Sequence, residues 1–219
     1  NVNGVRGMLQ EAKDIVADIA YFDKDTHKIN CLNGTVDLRT GRLSEHRPDD
    51  LFTYCLLLDF NPDADKSAWL TFLESLGTGG DIIPYLKRIS GYCLTGSTNE
   101  ECMFYLYGPT RSGKGTFTET VKEAMGPLAT GANFRMFTAE RTGDTQNFDL
   151  APLKNKRFIV AGESRRYENL NEAVLKQVTG SDDIYCAFKG KDMFSYRPMF
   201  KIMLTSNHPV NADPTDAAV

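Results

Sequence analysis

The sequence predicts an α/β protein with a parallel sheet between helices, preceded by a smaller α+β region. Three observations support this fold class. Short apolar runs without polar alternation recur in the second half of the chain, and such runs are typical of strands that are buried on both faces. A glycine-rich loop joins the first of these runs to a helical stretch. The first half combines helical periodicity with short strands broken by turn pairs, which is typical of a small mixed domain.

The composition is that of an ordinary globular protein. The 219 residues are 41% hydrophobic and carry a net charge of -4, which argues against a disordered, collagen-like or coiled-coil chain. No apolar stretch approaches the roughly 20 residues of a membrane-spanning helix, and no signal peptide is visible. We therefore expect a cytoplasmic protein without a membrane partner. Five widely spaced cysteines without a C-x-x-C pair predict neither disulfides nor a zinc site.

Charge is unevenly distributed along the chain. Residues 151–205 carry ten Lys or Arg against six Asp or Glu, although the whole chain is acidic. This pattern indicates either a solvated face or a local surface that meets a polyanion. The chain begins at Asn1 without a methionine and stops in a polar stretch at Val219, so we expect a fragment of a longer protein.

The first part of the chain predicts helices on either side of a small β-meander. Apolar residues at helical spacing predict a helix over residues 4–20. Short strands follow between Lys28 and Arg47, and the pair Asn33-Gly34 suits a tight turn. Asp65 is placed to cap a helix that ends at Gly77, and a second helix is expected over 81–92. The polar stretch near residue 97 predicts a boundary between two domains, 1–97 and 98–219.

The second part predicts strands that alternate with helices. Helices are expected from Lys114 onward and over 169–179, and a hairpin over 184–196 has its turn at Lys189, Gly190 and Lys191. The three runs expected to form the parallel sheet are 103–107, 156–163 and 200–207.

A glycine-rich loop lies between the first of these strands and the first of these helices. Nucleotide phosphates are bound by backbone N–H groups in a concave loop at a helix N-terminus, with a lysine that reaches the β and γ phosphates. Lys114 is that lysine, and Gly115 stands where the usual loop has the Ser or Thr that binds Mg²⁺. Either Thr116 reaches the metal from a shifted register or the metal is held through water. The predicted phosphate loop is Gly108, Pro109, Thr110, Arg111, Ser112, Gly113, Lys114, Gly115 and Thr116.

Polar residues end the other two predicted strands of the sheet. Glu163 ends the second strand and Asn207 ends the third, where the carboxyl edge of a parallel sheet meets a bound phosphate. The acid at this position can polarise the attacking water or hold Mg²⁺, and the amide can orient that water. Since Gly162 and Ser164 flank Glu163, no second carboxylate is adjacent, and the choice between base and metal ligand stays open.

The ordered motifs together resemble a known family. The runs YGPTRSGKGTF, KRFIVAGES, LNEAVLKQVTGSDDI and PMFKIMLTSNHPV, with a basic-tipped hairpin before the last, resemble the superfamily-3 helicase domain of phage and plasmid primase-helicases, including the poxvirus-type members. The preceding INCLNGTVDLRTGRL and DFNPDADKSAWLTFLESL resemble the small domain in front of that helicase.

The resemblance implies an AAA+-type ATPase that uses ATP and Mg²⁺ and assembles as a homo-oligomeric ring, usually a hexamer, around single-stranded DNA. It places Lys114 and Thr116 in the phosphate loop, Glu163 at the acidic strand end and Asn207 at the sensor position. It also places Lys189 and Lys191 on a hairpin that grips the DNA backbone. Phe188 beside them either stacks on a base or packs on its neighbours.

The family's trans-acting arginine usually lies just beyond the sensor asparagine, so we expect it after Val219. A fragment without it would bind ATP and hydrolyse it weakly. Two other functions stay open: a nucleotide-dependent switch or scaffold without turnover, and a small-molecule phosphotransferase, which the GKGT variant suggests. No acidic cluster suited to primase chemistry is evident.

Overall fold

A small antiparallel sheet opens the structured part of the chain. The structure is a computed structural model that describes residues 22–76, 82–138, 148–162 and 169–210. The helix expected over 4–20 lies outside the described residues. The predicted β-meander is confirmed. Its strands pair in the order β1-β2-β3 and are β1 (Lys28–Cys31), β2 (Gly34–Asp37) and β3 (Arg42–Ser44).

The first turn of this sheet lies one residue earlier than predicted. Cys31 pairs with Gly34, so the two turn residues are Leu32 and Asn33, and Gly34 begins β2. Gly34 has a φ of 147°, and a Cβ there would lie 2.3 Å from the carbonyl oxygen of Ser44. The glycine is therefore required by the close approach of β3 and not by the turn itself.

Two helices follow the small sheet, as expected. Helix α1 (Ser67–Ser75) ends two residues before Gly77, and helix α2 (Ile82–Leu94) begins and ends slightly later than predicted. Asp65 accepts hydrogen bonds from the backbone N–H and the hydroxyl of Ser67, both at 2.9 Å. The backbone hydrogen bond contributes most, and the hydroxyl bond next, to lowering the pKa of the Asp65 carboxyl. The N-cap residue of α1 is Lys66, which makes no side-chain cap, so Asp65 holds the first residue of the helix from one position before the cap and does not cap it as predicted.

The second part of the chain contains the larger sheet and its helices. The helix after the glycine-rich loop begins at Lys114 as predicted, and the three predicted strands of the sheet are present. In chain order the elements are β4 (Phe104–Tyr107), α3 (Lys114–Met125), β5 (Ala129–Asn133), β6 (Phe158–Gly162), α4 (Glu172–Thr179), β7 (Ile184–Cys186), β8 (Phe194–Tyr196) and β9 (Lys201–Ser206).

The larger sheet is parallel and has the strand order β4-β9-β6-β5. Strand β9 lies between β4 and β6 and is buried at five of its six residues. Because all four strands run in the same direction, their carboxyl ends meet at one edge. The loop after β4 and the residues that follow β9 are thereby brought together. The α/β class, with a small antiparallel sheet in front, is confirmed.

Strands β7 and β8 form the predicted hairpin. Ile184 pairs with Tyr196 and Cys186 with Phe194, and the connection turns at Lys189 and Gly190. Gly190 has a φ of 75°, which glycine adopts without the steric penalty that a side chain would bring.

One core continues across the boundary predicted near residue 97. Leu73 and Leu86, from the first part of the chain, share a buried cluster with Phe117, Phe158 and Met203 from the second. The two-domain division stays a prediction, but packing between the two parts is extensive. Within the described residues, no helix is long and apolar enough to cross a membrane. All five cysteines are free thiols.

Candidate phosphate-binding site

The loop between β4 and α3 contains two residues with left-handed backbone conformations and leads directly into a helix N-terminus. Arg111 and Gly113 both have a positive φ, 66° and 85°, so the chain folds back on itself before the helix begins. Gly113 is the N-cap of α3 and contributes no side-chain cap. Backbone N–H groups at such a helix start attract anions, because the helix dipole adds partial positive charge.

Lys114 lies inside this loop and is held by neutral oxygens. Its Nζ atom donates to the carbonyl oxygens of Gly108 at 2.7 Å and Pro109 at 3.0 Å, and lies 3.2 Å from the hydroxyl of Ser112. It also donates to the side-chain oxygen of Asn207 at 3.2 Å. The structure therefore brings Lys114 and Asn207, predicted from separate motifs, into direct contact.

A cavity of about 360 Å³ opens at this point of the sheet edge. Its walls carry two cations and no carboxylate among the described residues, which suits an anionic ligand. Thr116 lies on the wall, in the first turn of α3, whereas Thr118 is buried and donates back to the carbonyls of Lys114 and Gly115. The lining residues are Thr110, Arg111, Ser112, Gly113, Lys114, Gly115, Thr116, Thr205, Ser206 and Asn207.

Two of these lining residues, Thr205 and Ser206, were not predicted. They end β9 immediately before Asn207. The hydroxyl of Thr205 occupies the space where a side chain at Gly162 would begin, because a Cβ there would lie 2.8 Å from Thr205 Oγ1. Ser206 donates to the carbonyl of His208 at 2.6 Å and shapes the turn after the strand. The available signal was the polar end of an otherwise apolar strand.

Glu163 lies outside the described residues. The preceding residue, Gly162, ends β6 and pairs with Thr205 of β9. The described part of β6 therefore ends at the carboxyl edge of the sheet, beside the wall of the cavity.

The predicted DNA-binding residues lie at the tip of the β7-β8 hairpin. Lys189 and Lys191 are exposed. Phe188 is 47% exposed and stacks on Phe194 with ring centroids 5.6 Å apart. The Nζ atom of Lys154 lies 5.0 Å from the centroid of the Phe194 ring. Phe188 therefore packs on a neighbour while part of its ring stays accessible.

The fold and this cavity define an α/β protein with a candidate phosphate-binding loop at the carboxyl edge of a parallel sheet. Comparison with known families agrees with the motifs. Residues 106–218 match the family described as "Family of unknown function (DUF5906)", and the chain belongs to this family. Residues 1–76 match a second family, described as "D5 N terminal like".

Two viral proteins are similar in sequence. "Putative helicase L207/L206" of Acanthamoeba polyphaga mimivirus is 26% identical over 209 residues, which is 92% of this chain and 22% of the viral protein. "Putative helicase 022R" of Frog virus 3 (isolate Goorha) is 29% identical over 146 residues, 63% of this chain and 15% of that protein. The chain thus spans about a fifth or less of the curated relatives it matches.

Two solved structures of the NrS-1 C terminal region share the fold. The A form apo structure matches with a TM-score of 0.52 at 12% identity and covers 68% of this chain and 34% of that one. The apo structure of residues 305-718 gives 0.51 at 13% identity and covers 67% and 36%. At these identities the likeness concerns the fold alone. The sequence and family matches confirm the resemblance to poxvirus-type primase-helicases that the motifs indicated.

Proposed function

We propose that the chain is the ATP-hydrolysing part of a DNA helicase of a phage, plasmid or other mobile element. The observation that carries the proposal is the contact between Lys114 and Asn207 at 3.2 Å, in a cavity at the N-terminus of α3. A lysine from the phosphate loop and an amide from a neighbouring strand end then face one phosphate group. The motif order supports an AAA+-type P-loop domain.

Binding of the triphosphate uses the loop backbone and two cations. Lys114 exchanges its contacts with the carbonyls of Gly108 and Pro109 for charged phosphate oxygens, which form stronger hydrogen bonds with an ammonium group. Arg111, on the wall of the same cavity, adds a second positive charge. The N–H groups at the start of α3 complete the cradle.

The oxygen donors of the cavity would suit Mg²⁺ only together with the phosphates of the bound nucleotide, since the described wall carries two cations and no carboxylate. The wall offers hydroxyl and amide oxygens from Thr116, Thr205 and Asn207, and hard oxygen donors are what Mg²⁺ prefers. Thr116 would hold the ion directly or through water, with Glu163 as the second candidate. When bound, Mg²⁺ neutralises charge that develops on the phosphates. Asn207 would orient the attacking water, and Glu163 would polarise it or hold the metal.

The proposed partner is single-stranded DNA. Two exposed lysines at the tip of a hairpin make contacts of the kind that bind phosphates without sequence preference. The accessible part of Phe188 offers a surface on which a base can stack. We propose that the protein works as a homo-oligomeric ring, a hexamer in the complete protein, with these tips facing the strand.

The first test is ATP binding by titration calorimetry with wild type and Lys114→Ala. We expect affinity to fall at least about tenfold, because a hydrogen bond to a charged group contributes about 1.5–3 kcal/mol. Lys122→Ala is the matched control, since Lys122 lies on the same helix and pairs with Glu119. Unchanged affinity in Lys114→Ala would contradict the site.

Hydrolysis then separates a motor from other nucleotide-binding proteins. The assay uses a chain extended past Val219, so that the expected trans-acting arginine is present. In this longer chain we expect ATP turnover that rises with single-stranded DNA and is lost in Glu163→Gln, which keeps its affinity for ATP. Turnover that ignores DNA would support a phosphotransferase, and tight binding without turnover would support a switch. Both results would overturn the helicase proposal.

A further inference from the structure

Helix α1 packs directly against the phosphate loop. A Cβ at Gly113 would lie 2.4 Å from Cδ2 of Leu76, and 3.5 and 3.6 Å from two ring atoms of Phe72. Leu76 follows α1 as its C-cap residue, and Phe72 lies within the helix. The space above the last residue of the loop is therefore filled by two apolar side chains from the first part of the chain.

A second contact joins α1 to the helix that carries Lys114. The Trp69 ring stacks on Phe117 with centroids 5.8 Å apart and planes 19° apart. Trp69 also lies against Phe72, with a centroid distance of 5.2 Å. Phe117 is only 2% exposed and is three residues beyond Lys114. The aromatic stack thus fixes the first turn of α3 from the same side on which Leu76 covers Gly113.

These contacts matter because a phosphate loop works through its backbone. Its N–H groups bind well only if they already point into the cavity, since ordering a loose loop consumes binding free energy. Gly113 has a φ of 85°, which is one of several backbone conformations that glycine adopts readily, so contacts from outside the loop can select it. Leu76 and Phe72 provide a packed surface against which this conformation is held.

We propose that Leu76 and Phe72 are positioning residues for the phosphate loop, and that α1 thereby couples nucleotide binding to the first part of the chain. Helix α1 lies within residues 1–76, which match the D5 N terminal like family. The two regions are therefore linked at the nucleotide site itself. The inference rests on the proposed nucleotide site and adds a second function to the region before it.

Coupling of this kind is reciprocal. If α1 helps the loop to bind a nucleotide, the bound nucleotide stabilises α1 by the same free energy. The affinity of the first part of the chain for any partner it contacts would then depend on whether the cavity holds a nucleotide.

The test is the affinity for ATPγS, a slowly hydrolysed nucleotide, measured by titration calorimetry in the presence of Mg²⁺. We expect Leu76→Ala to weaken binding about tenfold and Leu76→Met to restore most of it. Leu86→Ala is the matched control, because Leu86 is buried on α2 in the same apolar cluster. It should lose stability in urea without losing affinity. Equal affinity in Leu76→Ala and wild type, or equal weakening by Leu86→Ala, would overturn the inference.

Trp69 supplies an independent readout, since it is the single tryptophan of the chain. Its stacking on Phe117 predicts that ATPγS changes the tryptophan emission, with a midpoint that matches the calorimetric Kd. Lys114→Ala should remove the change. If wild type binds ATPγS and the emission stays constant, the coupling through α1 is wrong. If wild type binds no nucleotide, the proposed function itself fails.

Discussion

The Lys114 ammonium group is held by neutral partners in the described part of the chain. Its partners are two backbone carbonyls, a hydroxyl and an amide oxygen, and no carboxylate pairs with it in the described part of the chain. Neutral acceptors hold an ammonium group less tightly than anionic ones do. This supports the proposed nucleotide site, because a phosphate would displace neutral acceptors more easily than a carboxylate in a buried ion pair.

Gly162 is a second residue whose identity follows from the site. It ends β6 opposite Thr205, and the hydroxyl of Thr205 fills the space that a side chain would need. Absence of a side chain at Gly162 leaves room for the hydroxyl of Thr205, a residue of the cavity wall.

Substitution of Gly162 by alanine tests this fit. The new Cβ would lie 2.8 Å from Thr205 Oγ1, so Thr205 must rotate or the strands must shift. We expect Gly162→Ala to lower the free energy of unfolding in urea by about 1–3 kcal/mol, the usual cost of overpacking. In a Thr205→Ala background the loss should be much smaller, because the clashing atom is gone. An equal loss in both backgrounds would show that the contact is unimportant.

At the scale of elements, the β7-β8 hairpin is held by a hydrogen bond in its turn and by a row of aromatic side chains. Its turn is closed by a hydrogen bond from the N–H of Lys191 to the carbonyl of Phe188 at 2.9 Å. The aromatic side chains Phe188, Phe194 and Tyr196 form a continuous row, with successive centroids 5.6 and 6.2 Å apart. This row stiffens the two short strands and holds the lysines at the tip.

The two tip lysines should contribute to DNA affinity without affecting the nucleotide site. We expect Lys189→Ala with Lys191→Ala to weaken binding of an oligo(dT) strand and to leave the Kd for ATPγS unchanged. Each phosphate contact on a single strand contributes about -0.7 to the slope of log affinity against log salt. Loss of two contacts should therefore make this slope less steep by about 1.4. The measurement is fluorescence anisotropy over a salt series.

A charge-matched control shows whether the loss of DNA affinity comes from the hairpin or from the change in net charge. Lys66→Ala with Lys87→Ala also removes two exposed lysines, which lie beside α1 and on α2. If this control weakens DNA binding as much as the hairpin variant does, the effect reflects net charge and the hairpin assignment is wrong.

Some elements could be predicted because their signal is local. Strands β4, β6 and β9 are short apolar runs, and the loop before α3 has a recognisable spacing of glycine and lysine. Strand β5 was missed, since its sequence ATGAN has no large apolar residue. It forms because it pairs in parallel with β6 along five residues, and pairing with a neighbour can override weak propensity.

Other parts of the site could not be predicted from local patterns. The packing of Leu76 on Gly113 and the stack of Trp69 on Phe117 join residues that are far apart in sequence. Helical periodicity indicates that such residues are apolar and face inward, but not which surface they meet. The contact between Lys114 and Asn207 was foreseeable only because parallel strand ends converge.

At the scale of the whole molecule, two buried cations join the parts of the chain at the opposite edge of the large sheet. Arg157 precedes β6 and donates to the carbonyls of Leu94 at 2.8 Å, Lys28 at 2.9 Å and Asp25 at 3.3 Å. Lys201 begins β9 and donates to the carbonyls of Thr95, Ser97 and Met199. Burial of these charges is tolerated because backbone oxygens replace the lost water.

Lys201 should therefore make stability depend on pH in the alkaline range. Burial, partly offset by Cys93, lowers its pKa to about 8 from an ordinary value of 10.5, with Arg157 and Cys102 as the other charged or titratable neighbours. At pH values between these two pKa values, Lys201 is protonated to a greater extent in the unfolded chain than in the folded chain. Since stability rises with pH wherever the unfolded state binds more protons, deprotonation of Lys201 favours the folded state.

Comparison with Lys201→Met isolates this effect from other titrating groups. From pH 7 to pH 9, the free energy of unfolding of wild type should rise by about 1 kcal/mol relative to the variant, as follows from the two pKa values. The measurement is urea unfolding of both proteins at several pH values in this range. At pH 7 the variant also loses the donor for three carbonyls, so its absolute stability is not the test. Parallel pH curves for the two proteins would mean that Lys201 keeps an ordinary pKa, and that its charge is solvated where the two parts of the chain meet.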